Sequence, residues 1–111
     1  MDIDKGILQE LDEILEDRKK GDVTKSYVAK LFNNGTSAIS DKIIEEANEL
    51  VETIKLKDNQ RKELIHETAD LWFHTLVLLS YKDITSTEIL NELRSRYGIS
   101  GIEEKENRSV D

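Results

Sequence analysis

Residues 63–79 read ELIHETADLWFHTLVLL. This stretch decides the fold because, if it is helical, its apolar side chains lie on most sides of the helix. Around a helical wheel, the leucines, the isoleucine and the aromatic residues cover most of the circumference. One narrow polar stripe remains, and it is formed by Glu63, Glu67, Asp70 and His74. The pattern predicts a helix from about Asn59 to Tyr81 that lies at the centre of a helical bundle.

The segment before this helix carries a second group of carboxylates, within the sequence EEANE at residues 45–49. A helix from about Thr36 to Leu56 would have one apolar arc, in which isoleucines and leucines recur at helical spacing. Glu46 falls at the margin of that arc, Glu49 lies just beyond it, and Glu45 points further towards solvent. The sequence therefore places two of these carboxylates where this helix meets its neighbours.

The two acidic motifs share a spacing that directs carboxylates to one helix face. Glu46 pairs with Glu49, and Glu67 pairs with Asp70, each three residues apart. Four carboxylates on neighbouring helices can converge on one or two hard cations, which prefer oxygen ligands. Without a cation their repulsion and desolvation would be costly. The two motifs together therefore point to a metal site and to phosphate chemistry.

Other polar residues support this hypothesis less strongly. His74 lies one turn beyond Asp70, so both could reach one site, although a histidine satisfied near the core explains the position equally well. Lys30 and Lys42 could contact phosphates, although isolated lysines usually face solvent. We expect His66 at the surface, facing away from the stripe. An acidic helix face that is merely solvated remains the competing interpretation of the carboxylates.

Composition favours a single all-α domain over residues 1–111. The chain has no proline and only five glycines, so few residues interrupt helices. The C-terminal segment, from about residue 99 to 111, has the composition of a mobile or partner-bound tail. We predict a bundle of about five helices. The first four have approximate bounds 4–19, 24–32, 36–56 and 59–81, and Thr24 caps the second. The fifth begins at the capping box 85–88 and ends near residue 97.

Charge and residue usage exclude several classes of protein. A net charge of −8 argues against a general nucleic-acid binder, which needs a basic face. The absence of cysteine excludes disulfides, thiolate catalysis and cysteine-bound zinc. No apolar run approaches the roughly 20 residues of a membrane span, and the N-terminus has no signal-peptide pattern. We therefore expect a cytoplasmic protein without a membrane partner.

Five segments resemble the phosphoribosyl-ATP pyrophosphatase family of the all-α NTP pyrophosphohydrolases. They are SYVAKLF at 26–32, KIIEEANE at 42–49, the helix at 63–79, ILNEL at 89–93 and GISGIEEK at 98–105. The resemblance extends over roughly residues 8–108. Mild departures are Ile44, where glycine is common in the family, and Trp72-Phe73, where Leu-Tyr is common.

The resemblance implies Mg²⁺-dependent hydrolysis of phosphoribosyl-ATP to phosphoribosyl-AMP and pyrophosphate, the second step of histidine biosynthesis. In the family signature, a Glu-x-x-Glu motif and a Glu-x-x-Asp motif on successive helices hold the metal. The resemblance implies that the metal ligands are Glu46, Glu49, Glu67 and Asp70. It implies that Glu45 orients or deprotonates the attacking water and that phosphates are contacted by Lys30 and Lys42. Contacts to the ribose or the base, or support of the site, would come from Tyr27 and His74. The number of metal ions, the phosphorus attacked and the base stay open.

Two further functions compete with this one. A house-cleaning pyrophosphohydrolase acting on free or modified (d)NTPs would use the same four carboxylates. A non-catalytic acidic helical interaction module would use none of them for chemistry. We also expect a homodimer, because members of the family associate and the apolar helix at 59–81 needs more cover than short helices give. Trp72 and Phe73 are then core or subunit contacts.

Overall fold

The computed structural model describes residues 6–97, which form an all-α bundle and contain no strand. This confirms the predicted fold class and the number of helices. The expected beginning of the first helix at Asp4 and the tail from about residue 99 lie outside the described residues. The helices are α1 (Gly6–Arg18), α2 (Tyr27–Asn34), α3 (Thr36–Glu52), α4 (Gln60–Tyr81) and α5 (Ser86–Tyr97), with a 3₁₀ turn, Thr53–Lys55, after α3.

The start of α2 differs from the prediction. Ser26, not Thr24, caps this helix, because the Ser26 hydroxyl accepts a hydrogen bond from the Ala29 N–H at 3.1 Å. Thr24 is already engaged in the preceding turn, where its N–H and its hydroxyl both donate to Asp22 Oδ1, at 2.8 and 2.6 Å. The local turn therefore engages Thr24, so the cap lies two residues later at Ser26 and the helix begins at Tyr27.

Two residues with positive φ allow the tight turns on either side of α3. Gly35 alone separates α2 from α3 and has a φ of 89°, a backbone conformation that favours glycine. Its N–H donates to the Leu31 carbonyl at 3.0 Å and so closes α2. Before α4, Asn59 adopts the left-handed conformation with a φ of 58°. The Gln60 amide donates to three carbonyls of the turn, including that of Ile54 at 3.1 Å.

The buried core lies at one end of the long pair formed by α3 and α4. These helices run antiparallel, since Glu46 contacts His74 near one end and Gln60 contacts Thr53 near the other. The fully or nearly buried apolar side chains are Leu15, Ala29, Leu31, Phe32, Ile39, Leu76 and Val77. Within residues 6–97, none of the helices has the length and apolar character that crossing a bilayer requires.

The prediction that α4 is central to the bundle is correct only for the inner face of its C-terminal half. Leu76 and Val77 are buried, whereas Ile65 is 59% exposed and Trp72 is 60% exposed. The physical reason is that α1 and α5 are short and leave the outer face of α4 uncovered. This single chain therefore leaves apolar surface on α4 facing solvent.

Helix α5 is held by polar contacts at its first turn. As the capping box predicts, the Thr85 N–H donates to the Glu88 carboxylate at 3.0 Å. A second carboxylate comes from α1, because Asp12 accepts hydrogen bonds from the Ser86 N–H and from the Ser86 hydroxyl, the latter at 2.6 Å. Asp12 thus ties α1 to the N-terminus of α5.

We expect Asp12→Ala to lower the free energy of unfolding by about 1–3 kcal/mol, because the buried Ser86 N–H loses its acceptor. Asp17→Ala is the matched control, since Asp17 lies on the same helix and its exposed side chain pairs with the neighbouring Arg18, at 3.6 Å. Urea unfolding of the two variants checks the prediction. Equal midpoints for both would show that the contact with α5 contributes no net stability.

Candidate active site

Helices α3 and α4 each present a compact group of possible metal ligands. The ligand atoms of Glu45, Glu46 and Glu49 all lie within 4.8 Å of one another. On α4, His66 joins Glu67 and Asp70 in a second group with the same spacing, and we call the five carboxylates of both groups the acidic strip. The predicted pairs thus share a helix face, as their three-residue spacing requires.

Glu46 lies deeper than its place at the margin of the apolar arc predicts. The residue is only 5% exposed, and its Oε1 is 2.6 Å from His74 Nδ1. The same nitrogen is 3.1 Å from the backbone carbonyl of Asp70, while His74 Nε2 is 2.8 Å from the Tyr27 hydroxyl. His74 therefore connects α2, α3 and α4, and both of its ring nitrogens contact protein atoms.

Glu67 provides the test of whether these residues suit a cation. Its Oε1 is buried and has no hydrogen-bond partner among the described residues. Burial raises the pKa of the Glu67 carboxyl above its ordinary value, and the neighbouring Glu49 carboxyl raises it further. Two ionised carboxylates cannot hydrogen-bond to each other, so the ionised pair lacks a partner. A hard cation would supply that partner, and the residues fit one.

An open cleft of about 400 Å³ continues from this pair along the α3–α4 groove. Its lining is dominated by carboxylates, and it includes Asn48, Glu49, Glu52, Glu63 and Glu67. An anionic phosphate would be repelled from such a surface unless cations neutralised it first. The cleft therefore suits a polyphosphate only in company with metal ions.

His66 lies nearer the acidic strip than its sequence position indicated. Its side chain is exposed, as expected, but its Nε2 is 3.3 Å from Asp70 Oδ2. The expectation that His66 faces away from the stripe is therefore wrong. The signal in the sequence was the four-residue spacing between His66 and Asp70, the same spacing that separates Asp70 from His74.

Of the two lysines, the structure brings Lys42 to the acidic strip. Its ammonium is 3.2 Å from Glu45 Oε2, and this hydrogen bond raises the pKa of Lys42 above its ordinary value. Lys30 is exposed and instead lines a neighbouring open cleft of about 540 Å³, together with Tyr27, Asn33 and other residues of the 23–34 segment. Tyr27 belongs to both places, because its ring lines this cleft while its hydroxyl contacts His74.

Comparison with known proteins agrees with this arrangement. The family model described as phosphoribosyl-ATP pyrophosphohydrolase matches residues 8–97. A phosphoribosyl-ATP pyrophosphatase from Vesicomyosocius okutanii subsp. Calyptogena okutanii (strain HA) is 50% identical over 103 residues, covering 93% of this chain and 96% of the relative. One from Geotalea daltonii (strain DSM 22248 / JCM 15807 / FRC-32) is 50% identical, with 92% and 94% covered. The chain therefore belongs to the phosphoribosyl-ATP pyrophosphohydrolase family.

Proposed function

We propose that this chain hydrolyses phosphoribosyl-ATP to phosphoribosyl-AMP and pyrophosphate, the second step of histidine biosynthesis. Membership of the family supports the reaction. The single observation that carries the chemistry is the unpartnered, buried Oε1 of Glu67 beside Glu49. Such an atom is costly in an acidic site that never receives a cation, and a cation would neutralise the polyphosphate whose hydrolysis we propose.

Glu46, Glu49, Glu67 and Asp70 would hold Mg²⁺ through carboxylate oxygens. When bound, Mg²⁺ supplies positive charge to the polyphosphate and lowers the pKa of a coordinated water. The chain's own contribution would be to hold two groups of carboxylates on neighbouring helices, with Glu49 beside Glu67, so that little reorganisation is needed during the reaction.

Glu45 is the residue we assign to the attacking water. It belongs to the acidic strip but is exposed, so its carboxylate can meet solvent and substrate. In the reaction, a water oxygen forms a bond to one phosphorus of the α–β bridge and the bridging P–O bond breaks, while Glu45 accepts the proton of the water. Lys42, hydrogen-bonded to Glu45, lies where it can contact a phosphate oxygen.

The cleft beside α2 is our proposed location for part of the substrate beyond the reacting phosphates. Tyr27 is 53% exposed and offers its ring to this cleft, and Lys30 offers a positive charge for a phosphate group. His74 is only 6% exposed and its nitrogens are occupied. We therefore assign His74 to support of its neighbours rather than to substrate contact.

A homodimer and a cytoplasmic location complete the proposal. The outer face of α4 exposes Ile65 and Trp72, and an apolar cleft of about 370 Å³ between α1, α4 and α5 includes Trp72, Ile89 and Leu93. A second copy of the chain would cover this surface, as exposed apolar patches of this kind usually require. We propose the cytoplasm because a charged nucleotide substrate does not cross a bilayer unaided and is available there.

The test of this function is pyrophosphate release from phosphoribosyl-ATP, from ATP and from a panel of dNTPs, with Mg²⁺ or with a chelator. We expect Mg²⁺-dependent release from phosphoribosyl-ATP, loss of that release on chelation, and recovery when Mg²⁺ is restored. Release mainly from dNTPs would identify a house-cleaning enzyme with the same metal site. No release from any of these would overturn the proposal and favour a non-catalytic interaction module.

A further inference from the structure

We propose that Tyr27 and His74 are positioning residues that hold the buried Glu46 carboxylate in the orientation required for metal binding. This inference rests on the proposed function, since it assumes that the acidic strip binds a divalent cation. It concerns residues that do not themselves hold the metal. We call Tyr27, His74 and Glu46 the positioning triad.

The geometry of the positioning triad is continuous across three helices. The Tyr27 hydroxyl on α2 is 2.8 Å from His74 Nε2 on α4, and His74 Nδ1 is 2.6 Å from Glu46 Oε1 on α3. His74 also packs edge-on against the rings of Tyr27 and Phe73, with centroids 5.8 and 5.3 Å away. Contacts on several sides therefore fix the imidazole ring in one orientation.

Hydrogen-bond chemistry fixes the direction of the triad. An ionised carboxylate only accepts hydrogen bonds, so His74 Nδ1 must carry a proton and donate it to Glu46. In the neutral imidazole, Nε2 is then the acceptor, and the Tyr27 hydroxyl donates to it. Burial raises the pKa of Tyr27, which keeps this hydroxyl protonated. The Glu46 carboxylate thus selects the tautomer of His74, and Tyr27 completes the triad by donating to the ring nitrogen that carries no proton.

Glu46 needs such support because of its neighbours. Its carboxylate lies within 4.8 Å of those of Glu45 and Glu49, and like charges would turn it away from them. Because Oε1 is bound to His74, the carboxylate cannot rotate freely, and Oε2 is the oxygen that the histidine does not use. We infer that Glu46 contributes that single oxygen to the metal. Loss of a partner behind a metal ligand typically weakens metal binding by about 10–100-fold.

Two substitutions of His74 separate its two hydrogen bonds. His74→Asn keeps an N–H donor close to the position of Nδ1 and can still bind Glu46. His74→Gln carries its amide near the position of Nε2, so it can reach Tyr27 but leaves Glu46 without its donor. Tyr27→Phe removes only the hydroxyl from a half-exposed ring, so it should fold even if substitution of the buried histidine does not. Tyr81→Phe is its control, because the Tyr81 ring stacks on Phe32, away from the acidic strip.

The measurement is Mn²⁺ binding to the substrate-free protein, followed by electron paramagnetic resonance, together with the Mg²⁺ dependence of turnover. We expect His74→Gln to weaken Mn²⁺ binding by about 10–100-fold, His74→Asn to restore much of it, and Tyr27→Phe to have a smaller effect than His74→Gln. Saturating Mg²⁺ should recover most of the turnover that Tyr27→Phe loses at low Mg²⁺.

Two results would overturn this inference. One is wild-type Mn²⁺ affinity in both Tyr27→Phe and His74→Gln, and the other is equal loss of affinity in His74→Asn and His74→Gln. A purely structural role would lower the thermal unfolding temperature of Tyr27→Phe without changing its Mn²⁺ affinity. If the wild-type protein binds Mn²⁺ but does not hydrolyse phosphoribosyl-ATP, the proposed substrate fails, while the Mn²⁺ comparison still decides the positioning role.

Discussion

Replacing Asp70 with asparagine, or Glu49 with glutamine, is expected to reduce pyrophosphate release from phosphoribosyl-ATP by at least about a hundredfold. Each substitution keeps the size of the side chain and removes one negative charge from the acidic strip. The reaction depends on concentrating positive charge beside a polyphosphate, and each lost carboxylate weakens the hold on Mg²⁺. Rates at saturating Mg²⁺ and substrate, with Mg²⁺ titrations for each variant, measure this effect.

The same variants should be as stable as the wild-type protein, or more stable, when no metal is present. The pKa of Glu67 is raised by burial and by Glu49, so the folded state binds its proton more tightly than the unfolded state does. The stability linked to Glu67 is therefore present at low pH and is lost as pH rises through the raised pKa. At neutral pH, Glu49→Gln removes part of that penalty. Thermal unfolding with and without Mg²⁺ checks this, and the shift caused by Mg²⁺ should shrink in both variants.

Glu92→Gln is the control for both substitutions. Glu92 lies on α5, its side chain is 58% exposed, and it pairs with Arg96 at 2.8 Å. We expect its turnover and its Mg²⁺ response to stay close to those of the wild-type protein. Near wild-type rates in Glu49→Gln and Asp70→Asn under saturating Mg²⁺ would show that our site assignment is wrong.

Local rules were sufficient to predict the helices and the shared faces of the acidic motifs. Helical periodicity places Glu46 beside Glu49, and Glu67 beside Asp70, without knowledge of any other part of the chain. The capping box at the start of α5 is local as well, and the structure contains its bond from Thr85 to Glu88. These features depend on residues at most four positions apart.

Features that depend on packing between helices could not be predicted from spacing. The depth of Glu46 follows from the position of His74 on α4, and His74 in turn contacts Tyr27 on α2. The hydrogen bonds join residues 28 and 47 positions apart in the sequence. The error in the predicted cap of α2 has a different cause. Asp22 binds the Thr24 hydroxyl within a turn that helix propensity alone does not identify.

The wild-type protein is expected to dissociate on dilution, with a shift of tryptophan emission to longer wavelength. Trp72 is the only tryptophan in the chain, and it is 60% exposed in the single chain. In a homodimer that covers the outer face of α4, the indole would be removed from water and its emission would report association directly. Sedimentation equilibrium over the same concentrations gives the mass that corresponds to each emission spectrum.

Trp72→Glu should weaken this association by at least about thirtyfold, the effect of losing a strong aromatic contact worth about 2 kcal/mol. In a symmetric dimer the substitution occurs on both copies, so the cost of burying a charge is incurred on each side of the interface. Val23→Glu is the matched control, because it places the same charge at another exposed apolar residue, in the segment before α2. A Trp72→Glu protein with the mass of the wild-type dimer would show that the partner binds elsewhere, and a monomeric wild-type protein at every concentration would exclude the homodimer.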